Sequence, residues 1–192
     1  INGENVNIAV GDLCDFDFCK KSTKNADIVI NLAAESHVDN SFENSIVFSR
    51  SNVVGTHSIL EASRVNDVSL FVHVSTDEIY GEIAHGSHVE TDMLNPTNPY
   101  SASKAAAEMV VNSYVHSFKF PIVTVRANNI YGVRQYPEKI IPKFILQSIF
   151  GLPNTIHGSG LNSRCFLSAL DFADAIKLLI DNGERGEVYN IG

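Results

Sequence analysis

The 192-residue sequence has no tryptophan, two methionines, six prolines and three cysteines, and it sets only 14 Lys and Arg against 22 Asp and Glu. That shortage of positive charge, a formal net −8, argues against nucleic-acid binding, because a phosphate-backbone binder carries clustered Lys and Arg. Cys14, Cys19 and Cys165 make an odd set without a CxxC pair. Neither a disulfide framework nor a zinc knuckle is expected from them, and reduced thiols fit a cytoplasmic protein. No run approaches the roughly 18 uninterrupted apolar residues of a membrane span. Ile1-Asn2-Gly3-Glu4 lacks the basic start and apolar stretch of a signal peptide. A starting methionine is missing too, and the chain is expected to be the middle of a longer polypeptide of roughly 300 residues or more.

What is present, 44% apolar and 19% charged residues, suffices for one real core. Val6–Val10 and Ala26–Leu32 are short β-branched runs that read as buried parallel strands. Ser41–Asn66 places Ile46, Val47, Val53, Val54, Ile59, Leu60 and Ala62 at three- and four-residue spacings, which predicts a long helix. A strand at Leu70–Ser75, a helix at 101–118 and a strand at Ile122–Arg126 follow. Beyond Gly132, prolines punctuate short elements, with helices expected at 142–150 and 171–181. The alternating order implies an α/β fold with a doubly wound parallel sheet. Residues 1–132 are expected to form a Rossmann-like domain and 133–192 mostly a substrate-binding region, with segments returning to the first. The charge is uneven: residues 1–100 hold five basic and fifteen acidic side chains, and 101–192 hold nine and seven. An anionic ligand is therefore expected to meet its charge in the second half.

Tyr100 and Lys104 lie four apart at the start of a predicted helix. The ammonium can sit under the phenol there and lower its pKa toward that of a general base. Alone, the pair equally describes a surface helix contact. Asp77 and Glu78 follow directly on a buried strand, where carboxylates face the ligand crevice of open α/β sheets. Two adjacent carboxyls tend to separate their pKa values, one serving as acid and one as base. His85, His88, Glu90 and Asp92 could ligate zinc, but they read better as a solvated loop without fixed geometry, and no metal is expected. His37, His57, His73 and His116 read as satisfied structural histidines, and Cys14 and Cys19 as ordinary buried thiols.

Gly11-Asp12-Leu13, Asn31-Leu32-Ala33-Ala34-Glu35-Ser36-His37-Val38-Asp39, Ser75-Thr76-Asp77-Glu78, Tyr100-Ser101-Ala102-Ser103-Lys104 and Tyr136-Pro137-Glu138-Lys139 occur in that order. Together they resemble an extended short-chain dehydrogenase/reductase, most nearly the nucleoside-diphosphate-glucose 4,6-dehydratases that act on dTDP-glucose or UDP-glucose. The resemblance implies an NAD-binding Rossmann fold, incomplete at both ends of this chain. It implies that Tyr100, with Lys104 and Thr76, takes the proton of the sugar 4-hydroxyl while hydride passes to NAD. Glu78 would remove the C5 proton, and Asp77 would protonate the departing 6-hydroxyl. Cofactor contacts fall on Asp12, Leu13, Leu32, Ala33, Ala34, Ser36, Ser51, Tyr100 and Lys104. Substrate contacts fall on Ser36, Thr76, Asn129, Lys139, Thr155, Ile156, His157 and Arg164, with Arg164 as the phosphate clamp.

The intact Asp77-Glu78 pair favours glucose 4,6-dehydration over the epimerases and decarboxylases of the resemblance. Asn128-Asn129-Ile130-Tyr131-Gly132 is similar to its eukaryotic and plant-type versions, which keeps UDP-glucose open beside dTDP-glucose. Ser168 departs from the usual aromatic residue and puts local packing in question. Surplus apolar residues on the helices at 41–66 (Phe42, Ile46, Phe48) and 101–118 (Met109, Val110, Phe118) imply a homodimer through these two helices. No G-x-G-x-x-G or G-x-x-G-x-x-G turn is present, and with it the acidic residue that separates NAD from NADP is missing. A nucleotide-binding scaffold without turnover is therefore the non-enzymatic alternative.

Overall fold

The structure, a computed structural model, describes residues 5–83, 85–156 and 158–192. Its elements run α1 (Phe16–Ser22), β1 (Ile28–Asn31), α2 (Val38–Glu43), α3 (Ser45–Phe48), a π-helical stretch (Ser49–Val54), α4 (Gly55–Val65) and β2 (Leu70–Thr76). A 3-10 turn (Asp77–Tyr80), α5 (Pro99–Phe118), β3 (Ile122–Ala127), β4 (Asn129–Tyr131), α6 (Ile140–Ile149), β5 (Phe166–Ser168), α7 (Ala169–Asn182) and β6 (Val188–Ile191) follow. Strands β1, β2, β3 and β6 form one parallel sheet in that order, and β4 pairs with β5, also parallel. The α/β architecture agrees with the sequence reading.

Period-two alternation along β2 and β3 decides which side chains meet which helix layer. Leu70, Vals 72, 74, 123 and 125, and Ala127 face one side, where Phe172 and Ile176 of α7 cover them. Phe71 and Ile122 face the other, against Ile59 and Leu60 of α4 and Val111 and Tyr114 of α5. Farther along that second face the strand residues turn polar: His73 lies beside Thr124 and Ser75 beside Arg126. α5 opens with Asn98 as N-cap, a reciprocal capping box with Ser101, and Pro99 in its first turn, an arrangement that satisfies donors left free at a helix start. Tyr100 thus sits in a fixed first turn.

Two predicted elements differ. Val6–Val10 forms no strand, and Val6, Ile8 and Val10 are exposed. A parallel strand needs a ladder partner, and β1 is hydrogen-bonded only to β2 among the described residues. The predicted long helix at 41–66 is broken at Asn44, whose φ of −142° leaves the helical region, and passes through the π-helical stretch before α4. That stretch carries Asn52 inward. It is 1% exposed, its amide oxygen accepts from Glu35 N–H at 2.8 Å, and its NH2 donates to the Glu35 carbonyl and to the Ser103 hydroxyl. Ser168, the departure from an aromatic, caps α7 by accepting from Leu170 N–H at 3.2 Å.

The second face closes on a buried ion pair in which Arg126 of β3 forks the Glu108 carboxylate of α5, both under a tenth exposed. Breaking one side of such a pair strands a charge in the interior. Arg126→Met is expected to lower stability by about 3–5 kcal/mol, and Arg126→Met with Glu108→Leu to recover most of that loss; urea unfolding of the three proteins measures both.

Candidate active site

Ligands of open α/β sheets bind beyond the carboxyl ends of the strands, and two adjoining depressions lie there. The smaller, about 330 Å³, is lined by Leu32, Ala34 and Ser36 after β1, Thr76 at the end of β2 and Glu78 beyond it, Tyr100 and Lys104 of α5, Asn129 at the start of β4, and Lys139 before α6. The larger, about 940 Å³, includes Asp77, Glu78 and Arg164 in its wall. Nine of the predicted site residues therefore share one crevice, and Glu78 stands between the two. Asp12, Leu13, Ala33, Ser51, Thr155 and Ile156 line neither depression. Asp12 is instead exposed and pairs with Arg50 at 3.6 Å, while Leu13 packs on the core beside α4. Thr155 and Ile156 are exposed, and His157 lies outside the described residues.

The crevice is roofed by a bond between distant segments: the Lys139 ammonium donates to the Ser36 carbonyl at 2.9 Å and reaches its hydroxyl at 3.3 Å. Asn52 fixes Glu35, next to Ser36, onto Ser103 of α5, so the loop after β1 and α5 are tied by a single buried amide. Sequence reading missed Asn52. Its signal was an amide at a position where helical periodicity calls for an apolar residue.

The Tyr100–Lys104 pair is corrected in one respect. The Lys104 ammonium, 4% exposed, donates to the Val74 carbonyl at 2.7 Å. Burial lowers its pKa to about 8, with the Glu108 carboxylate pulling the other way. The Tyr100 phenol is not lowered; burial and then the Glu78 charge push it up to about 12, against the Thr76 hydroxyl, which acts to lower it. Asp77 and Glu78 are both raised, chiefly by burial, and Glu78 also by the charge of Asp77; Arg164 opposes both shifts. Every one of these groups is pushed toward its neutral form.

Among the histidines expected to be satisfied, His57 is, its Nε2 pairing with the Tyr114 hydroxyl at 3.0 Å, but His73 and His37 are not. His73 is fully buried, with neither ring nitrogen hydrogen-bonded, and burial and then Lys104 hold its pKa well below the usual range. His37 Nδ1 is likewise without a partner. The segment 85–92 is no free loop, because the His88 ring stacks on Tyr80 at 4.7 Å and its Nδ1 pairs with Asp92 at 2.9 Å. Among the described residues no three His, Cys, Asp or Glu side chains converge as a metal site. All three cysteines are free. Cys165 is exposed and Cys14 half-buried, so of the three only Cys19 is a buried thiol, and its pKa is raised to about 11 mainly by burial.

A dinucleotide's reactive half fits what the smaller crevice offers. Leu32 and Ala34 supply an apolar wall, Tyr100 and Lys104 supply donors, and the buried Ser75 hydroxyl beside them has no partner.

A family model described as GDP-mannose 4,6 dehydratase matches residues 1–192. A Homo sapiens dTDP-D-glucose 4,6-dehydratase is 45% identical over 193 residues, which cover 100% of this chain and 55% of that protein. An Arabidopsis thaliana trifunctional UDP-glucose 4,6-dehydratase/UDP-4-keto-6-deoxy-D-glucose 3,5-epimerase/UDP-4-keto-L-rhamnose-reductase is 50% identical over 175 residues, 88% of this chain and 26% of that one. The solved Streptomyces venezuelae dTDP-glucose 4,6-dehydratase with NAD bound superposes with a TM-score of 0.93 at 37% identity, over 95% of this chain and 56% of that chain. This chain thus spans from about a quarter to just over half of the length of these relatives.

Lys104 generates a pH signature. Its folded pKa of about 8 lies below the ordinary 10.5, so between those values the unfolded chain holds the proton and the folded one does not. Stability then rises with pH across that window. Tyr100, raised from 10.0 to about 12, acts with the opposite sign and only above pH 10. Relative to Lys104→Met, the unfolding free energy of the parent is expected to climb from about pH 8 to 10 in denaturant titrations.

Proposed function

The chain belongs to the family described as GDP-mannose 4,6 dehydratase, and from that premise we propose that it carries the catalytic centre of an NAD-dependent nucleotide-sugar 4,6-dehydratase. Its substrate is a nucleoside-diphosphate-glucose and its product the 4-keto-6-deoxy sugar nucleotide. The observation that carries this reading is the gathering of Thr76, Glu78, Tyr100 and Lys104 around one crevice, with Asp77 and Arg164 on its continuation. Relatives named for dTDP-glucose and for UDP-glucose match at 45% and 50% identity, figures that do not rank the two nucleotides; the proposal names dTDP-glucose, with UDP-glucose as its alternative.

Bound NAD supplies the hydride acceptor for C4, the hydride donor for C6, and a positive charge that favours phenolate. Leu32, Ala33, Ala34, Ser36, Tyr100 and Lys104 would hold its reactive half, with Asp12, Leu13 and Ser51 reserved for its other half. Tyr100, as phenolate, takes the proton of the 4-hydroxyl, with the Thr76 hydroxyl donating a hydrogen bond that stabilises the phenolate beforehand. With its pKa pushed up to about 12, the phenol keeps its own proton near neutrality, so the nearby positive charge is a requirement for forming the phenolate. Lys104 braces the end of β2 through Val74 and adds to that charge. The 4-keto group acidifies C5–H. Glu78 removes that proton, and Asp77 protonates the 6-hydroxyl, which departs as water. A proton returns to C5, and the cofactor ends as it began. The raised pKa of Asp77 suits a group that must arrive protonated. Arg164 clamps the diphosphate, Asn129 and Lys139 hold the sugar side, and Thr155, Ile156 and His157 lie along the base. Residues 1–132 would form the cofactor domain and 133–192 mostly the substrate region. A cytoplasmic setting belongs to the same reading; no helix among the described residues is long and apolar enough to cross a membrane.

A homodimer is part of the proposal. Phe42 and Ile46 of the first helical run and Met109 and Phe118 of α5 are half exposed or more. Phe48, named with them from sequence, is instead buried and meets Tyr100 edge-on at 6.3 Å.

Full-length protein incubated with dTDP-glucose or UDP-glucose and NAD is expected to give a product that alkali reveals as a 4-keto-6-deoxy sugar. Glu78→Gln and Asp77→Asn are each expected to slow its formation about 10²–10⁴-fold. Absence of product with either nucleotide from the parent protein overturns the dehydratase reading. Ile46→Glu combined with Met109→Glu is expected to halve the mass in light scattering; an unchanged mass removes these helices from the interface.

A further inference from the structure

Asp77 and Glu78 stand on a four-residue 3-10 turn that belongs to no ladder, yet both must meet a sugar held to within a fraction of an ångström. Their anchor is the next pair of residues. Ile79 is fully buried and Tyr80 nearly so. The Tyr80 hydroxyl accepts from the Arg126 guanidinium and donates to Asn190 Oδ1 of β6 at 2.8 Å. The guanidinium carbon lies 4.8 Å from the centre of the Tyr80 ring, and the His88 ring stacks on the same tyrosine. Glu90 adds a third tie: its carbonyl accepts from Arg126 at 2.8 Å and its carboxylate from Asn190 N–H at 2.8 Å. Immediately after the turn Gly81 holds φ +88°, where an added Cβ would collide with the Asn95 carbonyl.

The other end of this chain of contacts is Glu108. It lies on the stripe of α5 that carries Tyr100 and Lys104, about two turns past the first and one past the second, and its carboxylate forks Arg126. We propose that Glu108, Arg126 and Tyr80 form a positioning relay that fixes the acid–base turn at a set distance from the Tyr100–Lys104 helix. The relay thereby governs elimination of the 6-hydroxyl more than oxidation at C4. None of the three needs to touch the sugar. The division follows from where each group is held. Thr76 is fixed by β2, and Tyr100 and Lys104 by the capped first turns of α5, whereas the turn bearing Asp77 and Glu78 is tied at its start by Thr76, which accepts from Glu78 N–H at 3.3 Å and donates to Asp77 at 3.2 Å, and at its end by Tyr80. The inference rests on the dehydratase reading and deepens it.

Tyr80→Phe in the full-length polypeptide removes one hydroxyl and keeps the ring, the Arg126–Glu108 pair and the core packing. With dTDP-glucose or UDP-glucose and NAD, its 4-keto-6-deoxy product is expected to form about 10- to 100-fold more slowly, with KM within about twofold of the parent. Borodeuteride trapping is expected to show 4-ketoglucose nucleotide accumulating, because C4 oxidation outruns elimination. In the protein without substrate, amides 78–81 are expected to exchange faster while those of β2 do not change. A variant that dehydrates within twofold of the parent without the 4-keto sugar accumulating overturns the relay, as does unchanged exchange at 78–81. A parent that forms no product overturns the dehydratase reading itself and the relay's catalytic role with it. Failure of the two ideas is thereby told apart by which protein fails.

Discussion

The site depends on one unfavourable act of burial: α5 presses Tyr100, Lys104 and Glu108 onto the sheet. All three lie on one side of the helix and all are less than a tenth exposed. Because α5 starts where β2 and β3 end, its polar first turns meet the polar ends of the strands, and its apolar second half meets Phe71 and Ile122. The helix is thus a lever, stabilised at one end by ordinary hydrophobic contact and loaded at the other with groups that water would solvate better. Arg126 and the Val74 carbonyl satisfy two of those groups. Such buried pairs add little net stability over apolar replacements, so their presence is better explained by the geometry they impose than by the energy they contribute.

The same constraint explains what the sequence disclosed. Buried parallel strands leave apolar runs, and β2 and β3 were legible as such within a residue or two. Tyr100 and Lys104 were legible as a pair because helix geometry puts residues four apart on one face. The direction of the ammonium was not legible: it depends on how close the Val74 carbonyl comes, a tertiary fact. Arg126 and Glu108 were invisible as partners because they lie 18 residues apart on different elements. The strand expected at Val6–Val10 shows the limit of local pattern. Its β-branched run is real, but a parallel strand is made by its neighbour, and β1 has only β2 beside it among the described residues.

Neutral amides do the remaining organisation. Asn52 enters from the π-helical stretch and holds both backbone groups of Glu35 as well as Ser103. Asn31 at the end of β1 donates to Thr56 at 3.1 Å. A regular α-helix over 41–66 would carry Asn52 at a different angle, since each residue turns by about 100°. The irregular winding therefore has a local consequence: it aims one amide at the loop that walls the crevice. Helical periodicity alone smooths over that irregularity, which is why the sequence suggested an unbroken helix.

Burial also sets the chemical state of the centre. The phenol, both carboxyls and the lysine are all displaced toward their uncharged forms. A site in this condition binds the protons of its acids more tightly, and its lysine proton more loosely, than water would, so charge entering the crevice shifts several groups together. Glu78 is the centre of that coupling, because its charge raises Tyr100 while the charge of Asp77 raises Glu78. A carboxylate formed at Glu78 makes the phenolate harder to form, and a positive charge reverses the order. In the proposed reaction, oxidation at C4 and proton removal at C5 are therefore electrostatically opposed in one small space. A fixed distance between the α5 stripe and the Asp77–Tyr80 turn limits that opposition, since the interaction of two charges falls with their separation and with the polarity between them.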